Sequence, residues 1–146
     1  MPAYRTNPVL QAALVDLIDL SLLAKQAHWN VRGSNFRSVH LELDEVIDQV
    51  RINSDDVAER LAAVGGSPDG RADTVAATSQ VPSVEPGPIA APVVVEEFSA
   101  RISDAARRIE TALPELDDDL PSQDLLIGIV AGLDKAAWML RSQIEP

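Results

Sequence analysis

The sequence predicts an all-α fold, a four-helix bundle with one long crossover between its second and third helices. Three observations predict it. Apolar residues make up 46% of the chain but aromatics only 3%, so the core is Leu, Ile, Val and Ala, which favours packed helices. Apolar residues recur every three or four positions through four long stretches, the spacing of a helix buried along one face. Glycine and proline gather between the second and third stretches, where residues 65–92 hold four of the seven glycines and five of the ten prolines. At 146 residues the chain reads as one domain, 1–146, with no internal repeat.

The first helix spans about 8–31. Its stripe is Leu10, Leu14, Leu17, Ser21, Ala24 and His28, so His28 points inward near the helix end. Gly33 suits a helix C-cap, and Ser34 or Asn35 can cap the next helix. The second helix spans about 36–64 and is ended by Gly65-Gly66-Ser67-Pro68. The connector 65–92 is too long for a tight turn and holds one short helix in 72–79; such connectors carry function or span a bundle.

The third helix starts near Val93 or Val94. Phe98, Ile102, Ala105, Ile109 and Leu113 form its stripe, and Pro114 ends or kinks it. Asp117, Asp118 and Asp119 fall in the following loop. The fourth helix begins after Pro121, with Ser122 as N-cap, and runs to about 144. Leu126, Ile129, Val130, Leu133, Ala137 and Leu140 face its core.

Composition removes several function classes. With no cysteine there is no disulfide, thiolate metal site or thiol nucleophile. No apolar run is long enough to span a bilayer, and residues 1–8 lack the basic and apolar regions of a signal peptide, so a cytoplasmic location is expected. The net charge is −11, and Lys25 and Lys135 are the only lysines. Such a chain repels phosphate backbones, so DNA or RNA is not expected as a direct partner. The acidity serves solubility, and it also attracts cations.

Both histidines of the chain, His28 and His40, lie in one short stretch, followed by Asp44, Asp55 and Glu59. Imidazole and carboxylate suit iron, manganese and zinc. On a helical wheel His40, Asp44, Asp55 and Glu59 fall within about 100° of one another. Yet Asp44 and Asp55 sit roughly 16 Å apart along one helix, too far to share an ion. The same helix has two apolar faces. Leu43, Val46, Ile47, Val50, Val57 and Leu61 form the main arc, and Leu41 and Ile52 a second strip beyond the ligand line. Glu42, Glu45, Gln49, Asp56 and Arg60 form a polar ridge beyond that strip. Charges at this spacing are ordinarily a solvated face, and a lone inward histidine ordinarily a core residue. Five potential ligands agreeing in face, spacing and chemistry point instead to a metal site, and the two apolar faces to a two-fold dimer in which the second strip meets its own copy. One chain then offers His28, His40 and Asp44, and its mate Asp55 and Glu59.

These residues carry a resemblance. Lys25-Gln26-Ala27-His28-Trp29-Asn30-Val31-Arg32-Gly33, then Phe36, His40 and Asp44-Glu45, resembles the signature of the Dps family of ferritin-like miniferritins. Gly132-Leu133-Asp134-Lys135-Ala136-Ala137-Trp138-Met139-Leu140 resembles its fourth-helix segment. The likeness is dense in 25–60, good in 124–144 and loose in 65–121. It implies a dodecameric hollow shell with a ferroxidase centre between two-fold-related chains, built from His28, His40 and Asp44 of one and Asp55 and Glu59 of the other. It implies Fe²⁺ as substrate, hydrogen peroxide or dioxygen as oxidant, and ferric mineral stored inside, with Glu59 as the bridging ligand. Zinc or another divalent cation suits the same ligands. The resemblance also gives Trp29 a place at the centre, against simple core packing as the alternative. Asp117, Asp118, Asp119 and Asp124 become candidates for an acidic pore, or a solvated loop; Glu45, Gln49 and Asp56 become candidates to line the cavity and seed mineral. Two departures stand out. The chain has no lysine-rich tail, so DNA binding is not expected, and Pro114 puts the pore residues in question.

Overall fold

The computed structural model describes residues 2–144, with side chains from Pro8 onward. The expected lack of a leader in 1–8 and of a lysine-rich tail falls partly outside the described residues. Four long helices form the bundle: α1 (Pro2–Asn30), α2 (Phe36–Ala63), α4 (Ala91–Ala112) and α5 (Leu120–Arg141). They pair as two antiparallel hairpins, α1–α2 and α4–α5, joined by the crossover that contains the short helix α3 (Ala72–Thr78). The first helix extends further toward its N-terminus than its apolar stripe indicates, and α4 begins at Ala91, two residues before Val93.

One core runs through the bundle. Leu10, Leu14, Leu17 and Ala24 of α1 meet Leu43, Ile47, Val50 and Leu61 of α2, with Phe98 and Ile102 of α4 and Leu126, Leu133 and Leu140 of α5. Each of the larger side chains among them contributes about 1.5–3 kcal/mol when taken from water. The main apolar arc of α2 is the buried one; Leu41 and Ile52 of the second strip are exposed.

Polar bonds lay the crossover along α1. Gln11 and Asp69 bond reciprocally: Gln11 Nε2 donates to the Asp69 carbonyl at 2.8 Å, and Asp69 N–H to Gln11 Oε1 at 3.0 Å. Asp16, buried, accepts from Gln80 N–H at 3.0 Å and from Arg108 Nε of α4 at 2.8 Å. Ser79 donates to Asp19 at 2.5 Å. The Pro-rich stretch 82–92 is held by Arg101, which donates to the carbonyls of Pro82 and Ser83 at 2.8 Å each. Two residues, β2 (Ile89–Ala90), pair in parallel with β1 (Val31–Arg32) and pin the crossover to the α1–α2 turn. The chain is not helical from 82 to 88, so these carbonyls accept no intrahelical bond and are open to the clamp.

The ends of helices differ from the sequence reading in three places, the first being that α5 stops at Arg141 rather than near 144. Asn35 stands at the start of α2 with φ 66° but makes no side-chain cap. Asp119, not Ser122, caps α5: its carboxylate accepts from Ser122 N–H and Ser122 Oγ. The helix starts one residue before Pro121, which sits in the first turn where a missing N–H costs nothing. Pro114 does end α4, which passes at Ala112 into a 3₁₀ turn over Leu113–Leu116. Among the described residues no helix is long and apolar enough to cross a membrane.

Candidate metal centre

His28 lies in the last turn of α1 and His40 in the second turn of α2, and the tight turn between the helices brings them face to face. Their rings stack with centroids 3.6 Å apart and planes 14° from parallel. His28 Nδ1 lies 2.6 Å from the His40 carbonyl, and His40 Nδ1 lies 2.7 Å from the His28 carbonyl. A carbonyl only accepts, so both Nδ1 atoms carry the proton. In the neutral ring Nε2 then holds the lone pair, the atom a metal takes. Each histidine thus sets the other's tautomer through its backbone. Phe36 packs against His40, with centroids 5.0 Å apart. His28 is buried, as its place in the α1 stripe requires.

Asp44 follows His40 by one helical turn. Its Oδ1 lies 3.6 Å from His28 Nε2, less than two metal–ligand bonds of about 2.1 Å laid end to end, so one cation can span both atoms where they stand once Lys25 is displaced. Lys25 Nζ donates to the same Oδ1 at 2.7 Å. That bond is the main reason the Asp44 carboxyl is held below its ordinary value; the burial it suffers opposes the shift, and His28 and His40 assist it.

Asp55 and Glu59 lie three and four turns further along α2 and are exposed. Among the described residues of one chain, no three His, Asp or Glu side chains converge closely enough to hold a metal ion. One chain therefore presents His28, His40 and Asp44 at one end of α2, and Asp55 and Glu59 at a distance on the same helix. Trp29, beside His28, is 62% exposed, which removes core packing within the chain as its explanation.

The other candidates separate. Asp119 is buried, so it is not a pore residue of this chain: it accepts from Arg60 Nη2 at 2.8 Å as well as from Ser122. Burial pushes its carboxyl up, but the bonds from Ser122 and Arg60 outweigh that and hold it low. Asp117 accepts from Gln123 at 2.8 Å, and Asp118 and Asp124 are exposed. Gln49 lies against α5, its Nε2 2.7 Å from where a side chain at Gly132 would begin, so it packs between helices. Glu45 and Asp56 remain exposed. Glu42 is pushed up by partial burial and by neighbouring Glu45. Sequence reasoning assigned no role to Lys25, nor to the Arg60–Asp119–Ser122 group. The signal for Lys25 was present: it precedes His28 by three residues, on the same face of α1.

A bundle of two helical hairpins with imidazole and carboxylate on facing helices defines the ferritin-like class, and residues 9–146 match the ferritin-like domain. The chain belongs to the Dps family within it. It is 37% identical to the DNA protection during starvation protein of Mycolicibacterium smegmatis over 142 residues, spanning 94% of this chain and 75% of that one. A crystal structure of a Dps protein from Deinococcus radiodurans superposes with a TM-score of 0.94 at 30% identity, covering 99% of this chain and 88% of that one. Dps from Microbacterium arborescens in its high-iron form gives 0.92 at 33% identity, covering 98% and 94%.

Proposed function

We propose that this protein is a ferroxidase and iron store. It oxidises Fe²⁺ at a centre shared between two chains, with His28, His40 and Asp44 from one and Asp55 and Glu59 from its mate. It keeps the ferric product in the hollow of a dodecameric shell. The observation that carries the reading is the pairing of His28 Nε2 with Asp44 Oδ1 at 3.6 Å, with both histidine Nδ1 atoms already committed. This half-site has its nitrogen ligands oriented before a metal arrives, and it lacks the further oxygens that Asp55 and Glu59 of a second copy supply.

The stacking of the two imidazoles supports two irons side by side, one on each ring. Two adjacent Fe²⁺ ions deliver two electrons together. One peroxide and two protons then become two waters as two Fe²⁺ become two Fe³⁺, and no hydroxyl radical escapes. Exposed Trp29, next to the centre, quenches stray oxidant. The relatives support the iron reading, one of them having been solved in a high-iron form. Asp117, Asp118 and Asp124 draw cations toward the shell, and Glu45 and Asp56 seed mineral inside it. The protection is chemical: with a net charge of −11 and only two lysines, the shell does not bind DNA, and it works in the cytoplasm.

The test is anaerobic Fe²⁺ loading followed by a stoichiometric pulse of hydrogen peroxide, watched by near-ultraviolet ferric absorption with a radical trap present. A fast rise without trapped radical is expected, and His28→Gly abolishes it while the shell still assembles. An unchanged rate in that variant overturns the site. Copious radical overturns the two-electron chemistry.

A further inference from the structure

The centre carries a positive charge of its own. The Lys25 ammonium sits 2.7 Å from the same Asp44 oxygen that faces His28 Nε2 at 3.6 Å. Lys25 comes from α1, one turn before His28, so the helix that supplies the nitrogen ligand also supplies a cation for the oxygen ligand. The pair is partly exposed, with side chains 27% and 42% accessible, so it is weak enough for a metal to displace.

We propose that Lys25 determines which metals the centre accepts, by keeping hard, oxygen-seeking cations such as Mg²⁺ and Ca²⁺ off Asp44. The inference rests on the metal-site reading above. Mg²⁺ and Ca²⁺ bind carboxylate and water oxygens and gain little from imidazole. On this chain Asp44 is their one good ligand, and an ammonium already satisfies it; the mate's Asp55 and Glu59 serve hard and soft cations alike. They must displace Lys25 and receive nothing from His28 or His40 in return. Fe²⁺, Mn²⁺, Co²⁺ and Zn²⁺ face the same displacement but also take His28 Nε2, and the nitrogen bond offsets the lost ion pair. Lys25 therefore sets a threshold that a cation clears only by binding nitrogen. The metal-free acids meanwhile keep a counter-ion, which limits repulsion among Asp44 and the carboxylates of the mate.

Co²⁺ binding, read by its visible absorption with and without millimolar Mg²⁺, tests this on the assembled protein. The wild type, Lys25→Met, Lys25→Gln, Lys25→Arg and His28→Gln are compared. In the wild type and Lys25→Arg, Mg²⁺ leaves Co²⁺ affinity nearly unchanged. In Lys25→Met and Lys25→Gln, Co²⁺ alone binds up to about fivefold tighter, the most a partly exposed ion pair yields, and Mg²⁺ now weakens it severalfold. If Co²⁺ binding depends on His28 but both neutral variants match the wild type with and without Mg²⁺, the role of Lys25 is overturned and the site stands. If wild-type Co²⁺ binding does not depend on His28, the site reading falls, and this inference with it.

Discussion

Arg60 reaches across from the end of α2 to the start of α5, its Nη2 2.8 Å from Asp119 Oδ1 and its Nε 2.8 Å from Ser122 Oγ. Arg60 follows Glu59 directly, so the bridge fixes the end of the helix that carries Asp55 and Glu59. Asp119→Ala removes a helix cap and leaves a partly buried guanidinium without its carboxylate. The variant is expected to lose about 2–4 kcal/mol of stability. Denaturant unfolding of the assembled protein measures it, and a change below about 0.5 kcal/mol means the group is not structural.

The same carboxylate gives a pH dependence. The Asp119 carboxyl is held below its ordinary value, so the folded protein binds fewer protons there than the unfolded chain. Its contribution is complete above the unfolded value of about 3.9 and is lost as pH falls through the lower folded value. Thermal unfolding between pH 6 and pH 2.5 therefore shows a steeper acid loss in the wild type than in Asp119→Ala. Parallel profiles contradict this.

A shared centre can be complemented. His28→Gln chains and Glu59→Gln chains are each expected to be inactive alone. Co-refolded at equal amounts, half the dimers are mixed, and each mixed dimer rebuilds one intact site of two, so about a quarter of wild-type activity returns. A centre confined to one chain returns none. Ferric absorption in the stopped flow distinguishes the two.

Ile52, 64% exposed within one chain, belongs to the second apolar strip that the dimer reading places at the two-fold interface. Ile52→Asp is expected to break that contact while α2 stays folded, since its buried arc is untouched. Light scattering reports a smaller particle, and circular dichroism an unchanged helicity. A full-sized particle removes Ile52 from any interface.

DNA should not shift. A gel-shift titration with duplex DNA at low and physiological salt is expected to show no complex at physiological salt, given the charge of −11. A complex that weakens steeply with salt requires a basic surface on the assembled protein.

The helices were legible because their apolar residues keep one period: His28 was placed inward by the stripe from Leu10 to Ala24, and it is buried. The two faces of α2 were legible for the same reason. What escaped were contacts between residues far apart in sequence. Ser122 has the side chain of a cap and follows a proline, but tertiary packing buries Asp119 against Arg60, and the carboxylate takes the cap. The stacking of His28 on His40 depends on how sharply the chain turns through the positive-φ residues Gly33 and Asn35, which spacing alone does not encode. The Pro-rich stretch had no role until Arg101 was seen holding its carbonyls.

The stitching of the crossover to α1 bears on how the chain reaches this state. Gln11 meets Asp69 across 58 positions and Asp16 meets Gln80 across 64, whereas each helical hairpin closes through a short turn or a single 3₁₀ turn. Closing a long loop sacrifices chain entropy before any contact rewards it. The hairpins accordingly collapse early and the strap docks late. Pulse-labelling hydrogen exchange during refolding should protect α1, α2, α4 and α5 before the amide of Gln80.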